Sequence, residues 1–473
     1  MLKYFSIKTF KVIKNTTVMS CVLASTLSQA NLMSESTLKS TLTLDTSNNV
    51  VEKDNGFKGS VLFQTNQWVD NVGEVVGNKY FGEVDLSYNS TNTGSLDKKF
   101  EFKSRINDQE QLQFSLPETY VRLGFGENNE IFLGRKILPW NSLDSAWGFG
   151  KLNNRINFDG FEPGQEGLTG ATVNFNFDSG FKVSLFGTGI YIPELNPGTK
   201  INKDDGTIEC QNAWCKAPDA GADTNQDGVP DKDIFYSVNM PDISDVVFRY
   251  AAGASFGFEN ENHRANVFGI RKPENNISLS VEVSFDASED IVNADVTPQV
   301  FYHNVAGAEY ALKAIRNVEL YGSYLRINPD NKPDEVEPLI VYTGIKPNKK
   351  FEEYLGTGAR YKNNNYAASL NYIARISEYD VSEDTLVEYP RWNQAVNLSI
   401  STKLSRKLAL AFDYKYDMLT EDRLTMLKAN YQFRPNMVIS AGANVIGSDD
   451  SADSYWSDFV NNDTVYSSFK YIF

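Results

Sequence analysis

The chain has 473 residues, 45 of them basic and 61 acidic, for a formal net charge of −16. A nucleic-acid partner calls for basic patches, so that class is set aside. Mean hydropathy is −0.39, and no apolar run reaches the roughly 18 residues that a membrane-crossing helix needs. The length is large for one soluble domain, whereas a barrel can grow by adding strands.

The first thirty residues read as an export signal. Lys3, Lys8, Lys11 and Lys14 make a cationic start, the weakly apolar TTVMSCVLASTL follows, and SQA places small residues at Ser28 and Ala30, with cleavage expected after Ala30. A lipoprotein cut before Cys21 is the alternative, but it leaves a very short apolar stretch after Lys14. Segment 31–56 holds the alternating STLKSTLTLDT (36–46), which either precedes the first strand or forms it. This segment is too short for a separate plug domain.

From about residue 57 one theme repeats in segments of about ten residues. In KKFEFKSRIN, Phe100, Phe102 and Ile106 face one way and Glu101, Lys103 and Arg105 the other. In NISLSVEVSFD, Ile277, Leu279, Val281, Val283 and Phe285 oppose Ser278, Ser280, Glu282 and Ser284. VNLSISTKL and KLALAFDYKYD repeat the pattern, with Lys403, Asp413 and Lys415 on their polar sides. Lys428 is a further candidate for a polar, inward side. Period two over this length marks a strand with two unlike faces.

A soluble sandwich puts the apolar face in a core, while an outer-membrane barrel puts it against lipid and lines a lumen with the polar face. Uniform strand length favours the barrel, and so do the aromatics near strand ends in GIYI, NYQF and YKYD. Connections also alternate. Tight turns are expected at RPN (434–436), SR (405–406), NNN (363–365), RN (316–317), DSG (178–180) and ENN (127–129), with long loops at 138–167, 192–245, 328–352, 376–391 and 447–463. Flipping sides at every hairpin gathers the long loops on one side, provided that short reversals also occur near 272–276 and 303–304. The expected fold is all-β: a single transmembrane, antiparallel, up-and-down barrel over 57–473, of about 20 strands within a range of 18 to 22.

The chain closes on TVYSSFKYIF, where Val465, Phe469, Tyr471 and Phe473 share one face. With its signal, its repeated alternation and this aromatic last strand, the sequence resembles the porin-like barrels of Gram-negative outer membranes. The likeness covers most of the chain in pattern and points to no single family. It implies an outer-membrane location among lipid and lipopolysaccharide. It also implies a final strand read by the barrel-assembly machinery through Phe469, Tyr471 and Phe473, and often a homotrimer. The function it implies is passive diffusion of small solutes or ions. An adhesin, a receptor or a structural barrel with an occluded lumen is the competing reading.

Two loops carry candidate sites. Loop 138–167 holds Trp140, Trp147, Phe149, Phe158 and Phe161, too many large rings for free solvation. Folding inward would narrow a passage and leave Asp144, Arg155 and Asp159 facing solutes, with Arg135 and Lys136 supplying basic charge nearby; packing on the outer rim or at a subunit interface is equally open. Loop 192–245 holds CQNAWC, and the pair Cys210 and Cys215 in an exported chain is expected to form a disulfide. In the same loop DTNQDGVPDKD spaces Asp223, Asn225, Asp227 and Asp231 as alternating oxygen donors around Gly228; Ile234 stands where the usual last carboxylate is expected, with Asp233 one place earlier as its substitute. The pattern resembles calcium-binding repeats of thrombospondin type 3 and EF-hand loops, and a solvated acidic loop is its competing reading. The two histidines, His263 and His303, lie near no nucleophile pattern, so no catalysis is expected.

Overall fold

The computed structural model describes residues 56–69, 75–90, 96–108, 111–126, 128–194, 199–202, 206–217, 221–222, 230–315, 317–330, 350–377, 389–448 and 454–473. The signal and the 36–46 alternation lie outside the described residues.

Eighteen antiparallel staves close into a ring, one of them broken in two. They are β1 (Gly56–Val69), β2 (Val75–Ser90), β3 (Leu96–Asn107), β4 (Leu112–Ser115 and Thr119–Phe125), β5 (Asn129–Lys136), β6 (Leu168–Asn176), β7 (Phe181–Thr188), β8 (Ala251–Glu259) and β9 (His263–Pro273). The second half comprises β10 (Tyr302–Ile315), β11 (Val318–Pro329), β12 (Glu352–Lys362), β13 (Tyr366–Arg375), β14 (Gln394–Lys403), β15 (Leu408–Asp417), β16 (Arg423–Arg434), β17 (Met437–Gly447) and β18 (Asp463–Ile472). β18 pairs with β1 from Ser60↔Ile472 to Val69↔Asp463. Gly59 and Phe473 then exchange both backbone hydrogen bonds at 2.9 Å, and the Phe473 ring lies so close over Gly59 that a Cβ there would sit 2.5 Å from it. The last strand thus has a neighbour on each side, and no edge is left to seek a partner.

The termini of the ring meet at one end, and the connections between β2 and β3, β4 and β5, β6 and β7, and onward in alternation return at that same end. The long connections β5–β6, β7–β8, β9–β10, β11–β12, β13–β14 and β17–β18 all rise at the other. Side chains obey the period. Phe63, Leu185, Phe256, Leu320, Leu370, Ile400 and Ile439 point outward and exposed, while Ser440, Asn371, Asn397 and Asp413 point inward and are buried. On the outer face at the turn end, rings pair across strands as Phe125–Phe175, Phe181–Phe258 and Phe433–Phe469, and Tyr471 stacks on Phe473 two residues along. That is where interfacial aromatics sit in a bilayer.

Two expected staves are not in the ring. Ser278–Asp286 and Ile291–Gln299 pair as a hairpin inside the β9–β10 connection, and the second also runs parallel to Lys232–Val238 in a separate four-stranded sheet. The expected reversals near 272–276 and 303–304 are absent: β9 runs to Pro273 and β10 spans 302–315. Glu282 therefore lies outside the barrel. Alternation identifies a two-faced strand and is silent about which sheet receives it.

β4 breaks at Leu116–Pro117–Glu118. Its two parts pair with β3 as Lys103↔Ser115 and Phe100↔Thr119, which leaves one extra residue on the β4 side. Such a bulge flips the inward set, so Ser115 and Tyr120 both face the lumen. Opposite it, Gly134 adopts φ 127°, and a Cβ there would sit 2.3 Å from the Thr119 carbonyl oxygen. Gly134→Ala should cost about 1–3 kcal/mol. Urea unfolding in detergent, followed by tryptophan fluorescence, checks this against Gly322→Ala, whose Cβ would meet open space.

Candidate functional site: a lumen crossed by one loop

The β5–β6 connection turns inward. Ser142–Trp147 forms a short helix, α1, whose N-cap Asn141 accepts a hydrogen bond from Asp144 N and whose C-cap Gly148 is left-handed at φ 63°. The tip is seated on the far wall. Asn141 Nδ2 donates to Ser323 Oγ at 3.1 Å, Ser142 N to Glu309 at 2.8 Å, and Asn266 Nδ2 to the Trp140 carbonyl at 2.7 Å. Leu143 lies over Gly356 of β12, where a Cβ would come within 2.0 Å of it.

Burial fixes the loop. Leu138, Trp140, Leu143, Trp147, Phe149 and Leu152 join inward residues of β7 to β17, including Phe268, Leu325, Tyr354, Ile373 and Leu424, in one apolar cluster. Phe149 stacks on Tyr354 at 4.6 Å, and Trp147 meets Trp392 edge-on at 6.0 Å. A fully buried large side chain contributes on the order of 2–3 kcal/mol, so this cluster outweighs the cost of ordering the loop. Returning, the loop reaches the opposite flank, where Lys428 of β16 pairs with Glu162 at 3.1 Å and Arg105 of β3 lies 4.8 Å from the Phe158 ring.

The disulfide Cys210–Cys215 is formed, with Cα atoms 5.5 Å apart. Its ring presses Trp214 onto Phe161 at 4.8 Å and Phe459 at 5.3 Å. Asn212 Nδ2 donates to the Phe158 carbonyl and Asn462 Nδ2 to the Ala213 carbonyl. What the loop leaves unfilled is a polar flank against β1–β3 and β13–β18. Two cavities are bounded there: one by Glu162, Asp413, Lys428, Asn444 and Tyr466, the other by Gln64, Arg105, Asp159, Trp214 and Thr464. The wall carries Arg105–Glu83 at 2.5 Å and Asp85 between Lys103 and Lys470 at 3.4 and 3.3 Å.

The inward arrangement holds, with a different cast from the one expected. Asp159 lines a cavity, its carboxylate accepting from Phe161 N. Asp144 does not face solutes: it is 1 % exposed and accepts from Lys151 N and Leu152 N, so burial pushes its carboxyl up against those backbone donors. Arg155 is buried on Glu194 at 3.1 Å. Arg135 donates to the Gly167 carbonyl and pairs with Glu166 at 3.0 Å, while Lys136 lies over the Phe132 ring at 4.0 Å. Trp140 and Trp147 are buried in the cluster. Phe469, Tyr471 and Phe473 keep one outward face of β18. Asp223, Asn225 and Asp227 lie outside the described residues. Asp231 and Asp233 flank Lys232, which pairs with Asp290 at 2.7 Å.

Sequence reading named Lys428 and Arg105 as inward but missed Glu162, Trp214 and Arg391. Arg391 is buried, donates to the Gly160 carbonyl and lies over the Tyr455 and Trp456 rings at 5.1 and 5.0 Å. No local pattern could pair these residues, because each contact joins distant connections.

The chain folds as a porin-like barrel. No family model and no curated protein matches it. Among solved structures it is similar to OccAB1 of Acinetobacter baumannii (11% identity, 88% of this chain and 95% of that one, TM-score 0.45). It is similar to a Salmonella typhi OmpF complex with daunomycin (10% identity, 89% and 99%, TM-score 0.42) and to OccAB4 of A. baumannii (8%, 90% and 100%, TM-score 0.43).

Glu166 is the hinge on which the loop rejoins the wall. It is 1 % exposed, accepts from Ser115 Oγ at 2.7 Å and from Leu116 N at 3.1 Å, and neutralises Arg135. Glu166→Ala strands a buried guanidinium and should cost about 3–5 kcal/mol. The Glu166→Ala/Arg135→Leu pair should recover part of that loss, measured as the urea midpoint in detergent.

Proposed function

We propose that this barrel is a channel of the Gram-negative outer membrane that lets small polar solutes or ions diffuse through. The supporting observation is the division of the lumen. One loop, anchored on several staves, fills one side with apolar side chains. It leaves a charged flank beside β1–β3 and β13–β18, where Arg105 and Asp159 line one cavity and Glu162 and Lys428 another. Alternating acids and bases lower the cost of moving a polar solute out of bulk water without trapping one sign of charge.

The ring that seats Trp214 on Phe161 favours a second reading, in which the mouth stays shut and the long loops act at the cell surface. Planar bilayers separate the two. A channel gives stepwise conductance, and removing the loop tip (142–158) should at least double the unit step. Silence from correctly folded protein would reject the channel.

For the acidic loop we propose a structural Ca²⁺ ion held by Asp223, Asn225, Asp227, Asp231 and Asp233. Asp231 and Asp233 alternate onto one side of an extended segment, which suits oxygen donors converging on one hard cation. Calorimetric titration of the full chain with Ca²⁺ should show one site that is lost in Asp227→Ala; no heat above a Mg²⁺ control rejects it.

A further inference from the structure

The β7–β8 connection carries a cluster of large apolar side chains that the described residues leave uncovered, at the rim where the long loops rise. Within it lies a short helix, α2 (Ile243–Val247). Met240 and Ile243 are each 80 % exposed, Phe248 is 71 % and Tyr250 57 % exposed, and Ile190 and Ile192 are exposed as well. The Tyr191 N–H donates to the Val247 carbonyl at 2.8 Å, which lays 190–192 against the end of the helix. Residues three and four apart share a helix face, so Ile243, Val246 and Val247 lie together while Ser244 and Asp245 lie on the other side.

A contiguous apolar patch of this kind calls for a partner other than water, and its level on the barrel identifies that partner. Tyr250 continues the outward row of β8, in which Ala252, Ala254, Phe256 and Phe258 alternate with the buried Ala251 and Ser255. Phe258 belongs to the ring pairs of the turn end. From there to Tyr250 the chain rises about 27 Å along the strand, or about 21 Å in height at the tilt of a barrel strand. The lipid-facing band of such a barrel is about 25 Å tall, so Tyr250 stands at its far rim. There the Tyr250 and Tyr302 rings meet at 5.2 Å and Arg271 lies over Tyr302 at 5.4 Å, an amphipathic set suited to headgroup level.

We propose that α2 is an interfacial anchor: it lies along the outer face of the rim and sinks Met240, Ile243 and Phe248 into the acyl chains of the surrounding leaflet, with Ser244 and Asp245 toward headgroups and water. The outward row runs on from Phe256 through Ala254 and Ala252 to Tyr250, so the lipid that covers the row reaches the helix. The connection is thereby held to the bilayer on one side and, through Glu194 on Arg155, to the lumen loop on the other. The inference rests on reading the barrel as membrane-embedded and adds a segment outside the staves to the surface that lipid covers.

The test uses the full chain with Cys21→Ser in dioleoylphosphatidylcholine vesicles; Cys210 and Cys215 are bonded to each other, so an introduced thiol reacts alone. A nitroxide on Ile243→Cys is compared with one on Leu370→Cys, outward on β13, and one on Glu289→Cys at the tip of the 278–299 hairpin. Relaxation by membrane-soluble oxygen and by a water-soluble nickel chelate reports the depth of each. The label at 243 should side with that at 370, about 5–10 Å inside the headgroup boundary, and a label on Ser244→Cys should read shallower. Adding Met240→Glu and Phe248→Glu should lift the 243 label into water. A 243 label that matches the one at 289 while 370 reads as lipid overturns the anchor alone, whereas an aqueous reading at 370 overturns the membrane reading beneath it. Shielding of the 243 label from both reagents, with dipolar broadening between labels, overturns the anchor in favour of contact with a second copy.

Discussion

Backbone pairing around a closed ring is the constraint from which the rest follows. In hydrocarbon each unpaired N–H or C=O costs several kcal/mol, so a sheet that spans a bilayer must have no edges. Here the condition is met at the β1–β18 seam, which continues through Gly59 and Phe473 to the final residue. Once closed, the ring dictates the side-chain pattern: outward positions meet lipid, inward positions meet water or the protein's own loops.

An eighteen-stave ring is wider than its own side chains can fill. The protein resolves this by spending its largest rings on one inward loop rather than on the wall. Trp147, Phe149 and Leu152 make a core inside the barrel; the wall opposite answers with Tyr354 and Ile373, and the β13–β14 connection with Trp392. The remaining flank stays polar because its inward residues are short or paired, as in Ser369, Ser399 and Ser401 beside Lys428–Glu162. Asymmetric filling thus leaves one flank of the lumen apolar and packed and the other polar.

Much of the fold was legible. Period two in KLALAFDYKYD assigned Asp413 and Lys415 to the lumen, and the aromatic face of β18 foretold its position in the ring. The hairpin 278–299 was misassigned because its strands have the same two-faced pattern, while what excludes them from the ring is pairing with 232–238, a partner more than forty residues away. Site residues were less legible for a related reason. Asp144 and Arg155 looked like solvent-facing charges, yet each closes a hydrogen-bond frame whose other half lies elsewhere in the chain, at 151–152 and at Glu194. Charge in a loop gives no sign of whether its partner is water or protein.

The cystine at 210 and 215 binds Trp214 into a small covalent ring that leans on the mouth of the lumen. Among the described residues the same connection grips the lumen's loops at two further points, where Lys216 pairs with Asp458 at 2.6 Å and Glu194 holds Arg155 at 3.1 Å. One connection thus clasps two others, and a change in its length between these points leaves each clasp with its own partner.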